Sequence, residues 1–396
     1  VVGEMPLFNQ RAKGCFVWDV DGNKFIDFIG ARWPIILGYA HPVSDNAIKR
    51  QLKDGIIFPQ PHPLEAEVAA LLTKVIPSAE MVRFAKNGSD ATGAAVRIAR
   101  AYTGKEIIIQ CGYHGAQDWF IVSTERNLGV PKVLRDYIFS FSYNDIESLE
   151  NLFRDHHGRV AAVIMEPMYD QFPKDNFLEQ VKLLTHKNDA LLIFDEIITG
   201  FRWSLGGAQE YFGVIPDISC FGKAMANGMP ISCVVGRRTI MEQTKDVFLS
   251  MTYGGECLSL AAAKAVITAL KNDSRILAHI WEMGALLQRG IVKLIKKNGL
   301  EQGIECVGIA PTPVMRFTKK LGVDYLAQKA LFQKYLMDKG ILYAAYWNIT
   351  YSHRQSHIHT TLTAVDYALK QLKQDRNERR VGKKMKHPPQ PVFRNH

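Results

Sequence analysis

Three short stretches carry residue types that could do chemistry together. Lys223, in PDISCFGKAMANGMPIS, follows directly on an apolar run and is followed by Gly228 and Pro230. A lone amine is thus placed where strands end and ligands gather, and a desolvated lysine loses its proton more easily and becomes a nucleophile toward aldehydes. Asp195 stands with Glu196 at the end of ALLIFDE. The apolar residues before it put its carboxylate at the mouth of a buried strand, where it needs a cationic or donor partner. A metal, a structural ion pair and a protonated heterocycle all meet that need. The third stretch, Lys86-Asn87-Gly88-Ser89-Asp90, leads into a helical run with Ala94, Ala95, Ile98 and Ala101 on one face. Gly88 permits close backbone approach, and the exposed amides and dipole of a helix start attract phosphate.

Taken singly, each stretch has an ordinary reading: a surface lysine, a buried ion pair, a capped helix. Taken together they match one molecule, in which a phosphate, a pyridinium nitrogen and an aldehyde each find a partner. That molecule is pyridoxal 5'-phosphate. Other chemistries fall away on spacing, because GxxxxGK[ST], HExxH and GxSxG do not occur, and YTGKE lacks a hydroxyl after Lys105. His353, His357 and His359 have a metal-like spacing, but with no nearby cysteine or carboxylate pattern they read as plain surface or loop histidines, and no metal is expected.

The elements that must hold these residues follow from periodicity. Short continuous apolar runs at 106–110, 160–166, 190–196, 217–221 and 232–236 suit strands buried on both faces, with helical stretches between them. The fold class is therefore α/β, a mostly parallel sheet flanked by helices, with ligands at the carboxyl ends of the strands. Near the N-terminus, KGCFVWDVDGNKFIDFIG alternates around Asp21-Gly22-Asn23 as a hairpin does. Helices are expected from Glu65 to Ile76, from Leu258 to Leu270, and through Leu277, Ile280, Gly284, Leu287, Ile291 and Leu294 up to Asn298-Gly299. A strand at 312–317, a helix closing at Gly340, the run ILYAAYW and a helix from Thr361 to Leu372 complete a smaller α+β unit.

With 396 residues, 47% of them hydrophobic and 22% charged, the chain has ample core material for two or three sub-domains. No apolar run is long enough to span a membrane, and the opening VVGEMPLFNQ has no secretory pattern, so a membrane or secreted protein is not expected. The net charge of +10 is concentrated at the end, where Gln371 to His396 holds eight Lys or Arg against two acids. Without aromatic interleaving this tail reads as a solvated terminus, and no nucleic-acid partner is expected. The six cysteines form no CxxC pair and suit reduced thiols of a cytoplasmic protein.

From Gly14 to Leu372 the chain resembles the class III pyridoxal-phosphate aminotransferases, most of all their glutamate-1-semialdehyde aminomutase branch. The resemblance rests on WDVDGNKFIDF, GYAHP, EMVRFAKNGSDAT, CGYHGAQDW, IMEPM, LLIFDEIITGFRWSLGGAQEYFGVIPDIS, FGKAMANGMP and TYGGE, in family order. It implies fold type I, with a small domain built from 1–50 and 271–372, a large cofactor-binding domain over 51–270 and a basic tail over 373–396. It also implies that Lys223 forms the internal aldimine and later moves protons as base and acid, and that Asp195 pairs with the ring nitrogen. Tyr113 and His114 of CGYHG and Ile197 would belong to the cofactor site, Tyr113 stacking on one ring face and Ile197 packing on the other. Gly88 and Ser89 would hold the phosphate, together with Thr252 donated from the neighbouring subunit of a homodimer. Trp33, Arg32 and Glu166 would lie toward the substrate.

The implied activity is transfer of an amino group between a small-molecule amino donor and a carbonyl acceptor. The alternative is a 2,1-aminomutase acting on a semialdehyde. This chain departs from the aminomutase pattern in the shorter segment IVSTERNLGVPK, in Arg32 beside Trp33, and in Glu256 where many members carry Asn-Pro. The stretch TYGGECLSLAA resembles members found in carbohydrate and secondary-metabolite pathways. Outside the enzyme class, the basic tail admits an acidic-partner binding protein, and the fold an inactive scaffold.

Overall fold

The computed structural model describes residues 8–318, 324–378, 380, 381 and 384. They divide into two compact units, one formed up to His41 and from Ser274 onward, the other by Pro42–Asp273.

In the central unit, seven strands form one sheet: β4 (Met81–Ala85), β5 (Ile107–Cys111), β6 (Ile138–Ser140), β7 (Val160–Met165), β8 (Leu191–Asp195), β9 (Ile218–Phe221) and β10 (Ser232–Gly236). Their spatial order is β4-β10-β9-β8-β7-β5-β6. The five central and edge strands from β9 to β6 run parallel, whereas β10 is antiparallel to both its neighbours. The apolar runs read from the sequence are five of these strands. β4 and β6 escape that reading because MVRFA and IFS are only partly buried and short. Helices cover the faces: α1 (Pro42–Leu52), α2 (Pro63–Val75), α3 (Gly88–Thr103), α4 (Asp118–Ile121), α5 (Ile146–Asp155), α6 (Phe177–Lys187), α7 (Ala208–Phe212), α8 (Arg238–Met241) and α9 (Cys257–Asn272). Ala91, Ala94, Ala95, Ile98 and Ala99 of α3 pack on one face with Ile108, Ile164 and Ile193, and α5 and α6 pack with Ile107, Val163 and Leu192 on the other. Strands covered on both sides must be apolar throughout, which is why these segments do not alternate.

The terminal unit carries β1 (Asn9–Lys13), β2 (Phe16–Asp19) and β3 (Lys24–Asp27), joined in parallel by β13 (Ile341–Leu342). The β2 to β3 turn is held by Asp19, whose carboxylate accepts from the amides of Asp21 and Asn23 at 3.0 and 2.8 Å, and Gly22 supplies the positive φ of 85°. The hairpin β11 (Ile304–Val307) and β12 (Val314–Phe317) packs against α10 (Arg275–Lys297) and α11 (Tyr325–Met337), and both helices pack in turn on α12 (Gln355–Asn377).

Four expectations are corrected in this unit. Only Ile341 and Leu342 of ILYAAYW form a strand. The last helix begins six residues before Thr361, so His357 and His359 sit on its first turns rather than in a loop. His353 is fully buried: it stacks on Phe28 at 4.4 Å, its Nδ1 accepts from the Thr350 amide at 3.0 Å, and burial holds its pKa down at about 3. No metal-type cluster occurs among the described residues. The described part of the tail is not simply solvated either, since Val381 is buried and Lys384 Nζ pairs with buried Asp375 at 2.6 Å.

Gly284 gives a direct test of packing. An added Cβ there would lie 1.8 Å from the Ala310 carbonyl oxygen. Alanine normally favours a helix by about 1 kcal/mol over glycine, but a backbone carbonyl cannot give way, so overpacking wins. Gly284→Ala should lower stability by about 1–3 kcal/mol, read as a lower urea midpoint; an unchanged or raised midpoint would refute the tight helix approach.

Candidate active site

The parallel order β5-β7-β8-β9 brings four strand ends side by side, and together they deliver five polar side chains. After β5 come Tyr113 and His114, after β7 Glu166, at the end of β8 Asp195, and after β9 Lys223. The ladders continue one step beyond the strands, with Glu166 N donating to Cys111 O at 3.1 Å and Glu196 N to Cys220 O at 2.9 Å, so these residues leave the sheet in fixed register.

Asp195 is buried, with Oδ2 at 2.9 Å from His114 Nδ1 and Oδ1 accepting from the Ile197 amide at 3.1 Å. Facing a carboxylate, His114 Nδ1 carries the proton and donates. His114 is itself sealed, against Phe120 and Trp119, and its Nε2 has no hydrogen-bond partner among the described residues. It therefore backs Asp195 rather than lining open space. Each carboxylate oxygen retains acceptor capacity for a further donor.

Lys223 sits at the start of a 3-10 turn with φ at 42°, a left-handed conformation that costs a side-chain-bearing residue free energy and is typical of functional positions. Burial pushes its ammonium pKa down, Asp195 and Glu166 push it back up, and buried Arg202 acts downward again. The amine makes no hydrogen bond among the described residues. Glu166 Oε2 accepts from the Tyr113 amide at 2.9 Å. Burial, then the charge of Asp195, raises its pKa to about 7 against the opposing effects of His114, the Tyr113 amide and Lys223.

The anion cradle is built at α3. Asn87 N donates to Asp90 Oδ2 at 2.8 Å as the helix opens, and Ser232 Oγ anchors the Asn87 carbonyl at 2.7 Å. Ser89 Oγ accepts from Ala116 N at 2.9 Å, and Thr92 Oγ1 donates to the His114 carbonyl at 2.7 Å, so the CGYHGA segment is laced to the first turn. A Cβ on Gly115 would lie 2.4 Å from Ser89 Oγ, and one on Gly88 would lie 3.2 Å from Ile197. Ile197 also limits Gly222, next to Lys223, at 3.2 Å. Tyr113 stands exposed beside this cluster, edge-on to Phe120 at 5.5 Å.

The structure thus gathers Gly88, Ser89, Tyr113, His114, Glu166, Asp195, Ile197 and Lys223 within one unit. Thr252 lies exposed in the loop before α9. That loop is braced by Glu256, which caps α9 through Leu258 N at 2.6 Å and pairs with Lys86 at 2.9 Å. Arg32 and Trp33 belong to the terminal unit. There Gly30, Ala31, Arg32 and Trp33 all have positive φ, a left-handed turn held by Asp27, which accepts from Ile29 N, Gly30 N and Tyr39 Oη at 2.8, 2.9 and 2.7 Å. Trp33 is buried and stacks on Tyr346 at 3.8 Å, while Arg32 is exposed. Sequence reasoning did not single out Gly112 or Gly115, and it gave Lys86 no role beyond opening the helix-start stretch. The two glycines flanking YH were the available signal, since both need φ above 100°.

Comparison with known proteins gives a consistent result. The family model for class-III aminotransferases matches residues 2–311. The chain is 37% identical over 366 residues to the glutamate-1-semialdehyde 2,1-aminomutase of Acetivibrio thermocellus, covering 87% of this chain and 84% of that one. It is also 37% identical to the 3-aminobutyryl-CoA aminotransferase of Cloacimonas acidaminovorans, over 94% of this chain and 91% of that protein. Among solved structures it is similar to the PLP internal aldimine form of the FumI protein of Sphingopyxis sp. MTA144, with TM-score 0.88, 27% identity, and coverage of 95% and 91%.

The electrostatics of Lys223 are open to measurement. In protein freed of small ligands, its labelling by an amine-directed reagent should reach half-maximal rate below the ordinary lysine pKa of about 10.4, because burial disfavours the ammonium. Asp195→Asn removes a charge that favours the ammonium and should move the midpoint lower still. Residue-resolved mass spectrometry reads both, and an ordinary lysine midpoint, or an upward shift in the variant, would contradict this account.

Proposed function

The chain belongs to the class-III aminotransferase family, and from that premise we propose a pyridoxal 5'-phosphate enzyme that moves an amino group between a small-molecule amino donor and a carbonyl acceptor. The observation that carries the reading is Lys223, a deep amine after β9 that feels the charges of Asp195 at the end of the adjacent β8 and of Glu166 after β7. The residues fit the cofactor. Ser89 and the α3 amides offer phosphate donors, in a cradle that Cβ atoms at Gly88 and Gly115 would crowd or fill. Asp195, braced by His114 and Ile197, offers a carboxylate to a ring N–H, and Tyr113 and Ile197 offer ring-facing surfaces.

When bound, the cofactor supplies an electrophilic carbonyl carbon and a ring able to accept negative charge from a substrate carbon. Lys223 Nζ would hold the cofactor, and its free amine would remove and return a proton at the carbon next to the substrate nitrogen, as base and then acid. Asp195 would hold the ring nitrogen in its protonated form, and His114 fixes the carboxylate by donating from Nδ1. Arg32, Trp33 and Glu166 are proposed as substrate-side residues; for Arg32 and Trp33 the strained turn that presents them supports this.

The unit 42–273 is proposed as the cofactor-binding domain. A homodimer in which Thr252 serves the neighbouring phosphate site is proposed from the exposed Phe248 and Tyr253 flanking it and from exposed Ile56, Ile57 and Phe58, whose loop is tied to α9 by Cys257 N to Ile56 O at 2.8 Å. No helix among the described residues is long and apolar enough to cross a membrane, and six free cysteines support a cytoplasmic reading. The similarity to aminomutases supports one second reading, a semialdehyde 2,1-aminomutase, which needs no separate amino donor for turnover.

Purified protein given pyridoxal phosphate should gain a visible absorption band that amino donors discharge. Lys223→Ala should keep cofactor but lose turnover by roughly 10²–10⁴-fold, and Asp195→Ala should slow the proton transfer far more than it weakens cofactor attachment. Full turnover by the lysine variant, or no band in the wild type, overturns the reading.

A further inference from the structure

Glu166 is held in an unusual way for a deep carboxylate. It leaves β7 at the open end of the sheet, and its chain path is fixed by its amide bond to Cys111 O. The side chain folds over Gly112, where an added Cβ would lie 2.6 Å from Oε2 and 3.0 Å from Cγ. Gly112 has φ at 115°, so only a glycine admits both the backbone path and the carboxylate above it. Oε2 then takes the Tyr113 amide at 2.9 Å, the one hydrogen bond to this carboxylate among the described residues. No arginine or lysine forms an ion pair with it among those residues, yet part of its surface remains accessible. A deep anion with a single neutral donor is poorly compensated by its own contacts. The opposing effects come from His114 first, then the Tyr113 amide, then Lys223 on the neighbouring strand end but one.

We propose that Glu166 is a positioning residue with two separable effects: its Oε2 fixes the backbone of Tyr113, and its charge, added to that of Asp195, favours the cationic Lys223 nitrogen. The proposal rests on Lys223 being the cofactor-bearing lysine. The charged and titratable groups facing Glu166 are Asp195 from β8, His114 and Cys111 from the end of β5, and Lys223 after β9. Asp195 favours the cation as well, and Arg202, after β8, disfavours it. Of the two anions Asp195 acts on the Lys223 nitrogen more strongly, and Glu166 adds to it.

Two substitutions separate the effects. Glu166→Gln retains an oxygen for the Tyr113 amide and removes the charge. Glu166→Asp retains the charge and, one methylene shorter, loses the reach to that amide. The measurement is a pH titration of the visible band of the holoenzyme, which reports protonation of the Lys223 nitrogen, together with cofactor retention on dilution. Glu166→Gln should lower the titration midpoint by about one pH unit with cofactor retained as in the wild type. Glu166→Asp should keep the midpoint and lose cofactor faster. A wild-type midpoint in the Gln variant overturns the charge effect, and wild-type retention in the Asp variant overturns the backbone effect. Absence of a titratable band in the wild type would instead mark failure of the underlying assignment of Lys223.

Discussion

One amine and two carboxylates share the mouth of a parallel sheet, and most of the central unit exists to make that arrangement tolerable. Each group alone would shed its charge on burial. Together they shed less of it, because opposite charges attract far more strongly in a low-dielectric interior than in water, although Lys223 still ends below its ordinary value and Glu166 above it. The bargain requires fixed geometry, and parallel pairing supplies it: adjacent strands end at the same level, so side chains one or two steps past the last ladder bond come together without long-range design. The residues behind them are as constrained as those in front. His114 is sealed behind Asp195, Ile197 is wedged between Gly88 and Gly222, and Ser89 is tied to Ala116.

Much of this was legible in the sequence because double-sided burial leaves a strong trace. The run before Asp195 is apolar without interruption, and the run before Lys223 is broken only by buried Ser219, so each meets its polar end residue where the sheet opens. What stayed hidden has physical reasons. β10 reads like its neighbours, yet is antiparallel, because burial on both faces sets composition and not direction. β4 carries an exposed arginine and half-buried neighbours, so its pattern is weak. The bond from Tyr113 N to Glu166 spans 53 positions, and no local pattern announces a contact between a backbone amide and a distant acid.

The terminal unit shows the opposite case, in which local preference would mislead. Ala31, Arg32 and Trp33 are residues that avoid positive φ, yet three in a row adopt it after Gly30. The turn persists because its surroundings over-determine it: Asp27 takes two amides and a phenol, and Asn348 occupies the space where a side chain at 30 would be. The histidine trio is similar. Its spacing resembles a ligand set, but the residues fall on different sides of a helix start, His353 in the core and His359 exposed.

The pair Asp195-Glu196 makes the division between scaffold and chemistry most plainly. Two consecutive acids end the same strand, both are buried, and the period of two sends their side chains to opposite faces. Glu196 turns inward and is saturated, accepting from Thr199 Oγ1, the amides of Ala208 and Gln209 at 2.7 and 2.8 Å, and Gln209 Nε2 at 3.3 Å. It caps α7 and joins a closed network through Gln209 to Ser78 and Ser219. Asp195 turns to the open end with one histidine and one amide, leaving capacity for another donor. Identical chemistry one residue apart is therefore structural in one case and available in the other. The difference lies in how many hydrogen-bond donors the fold has already committed to each, a quantity that sequence does not carry and packing does.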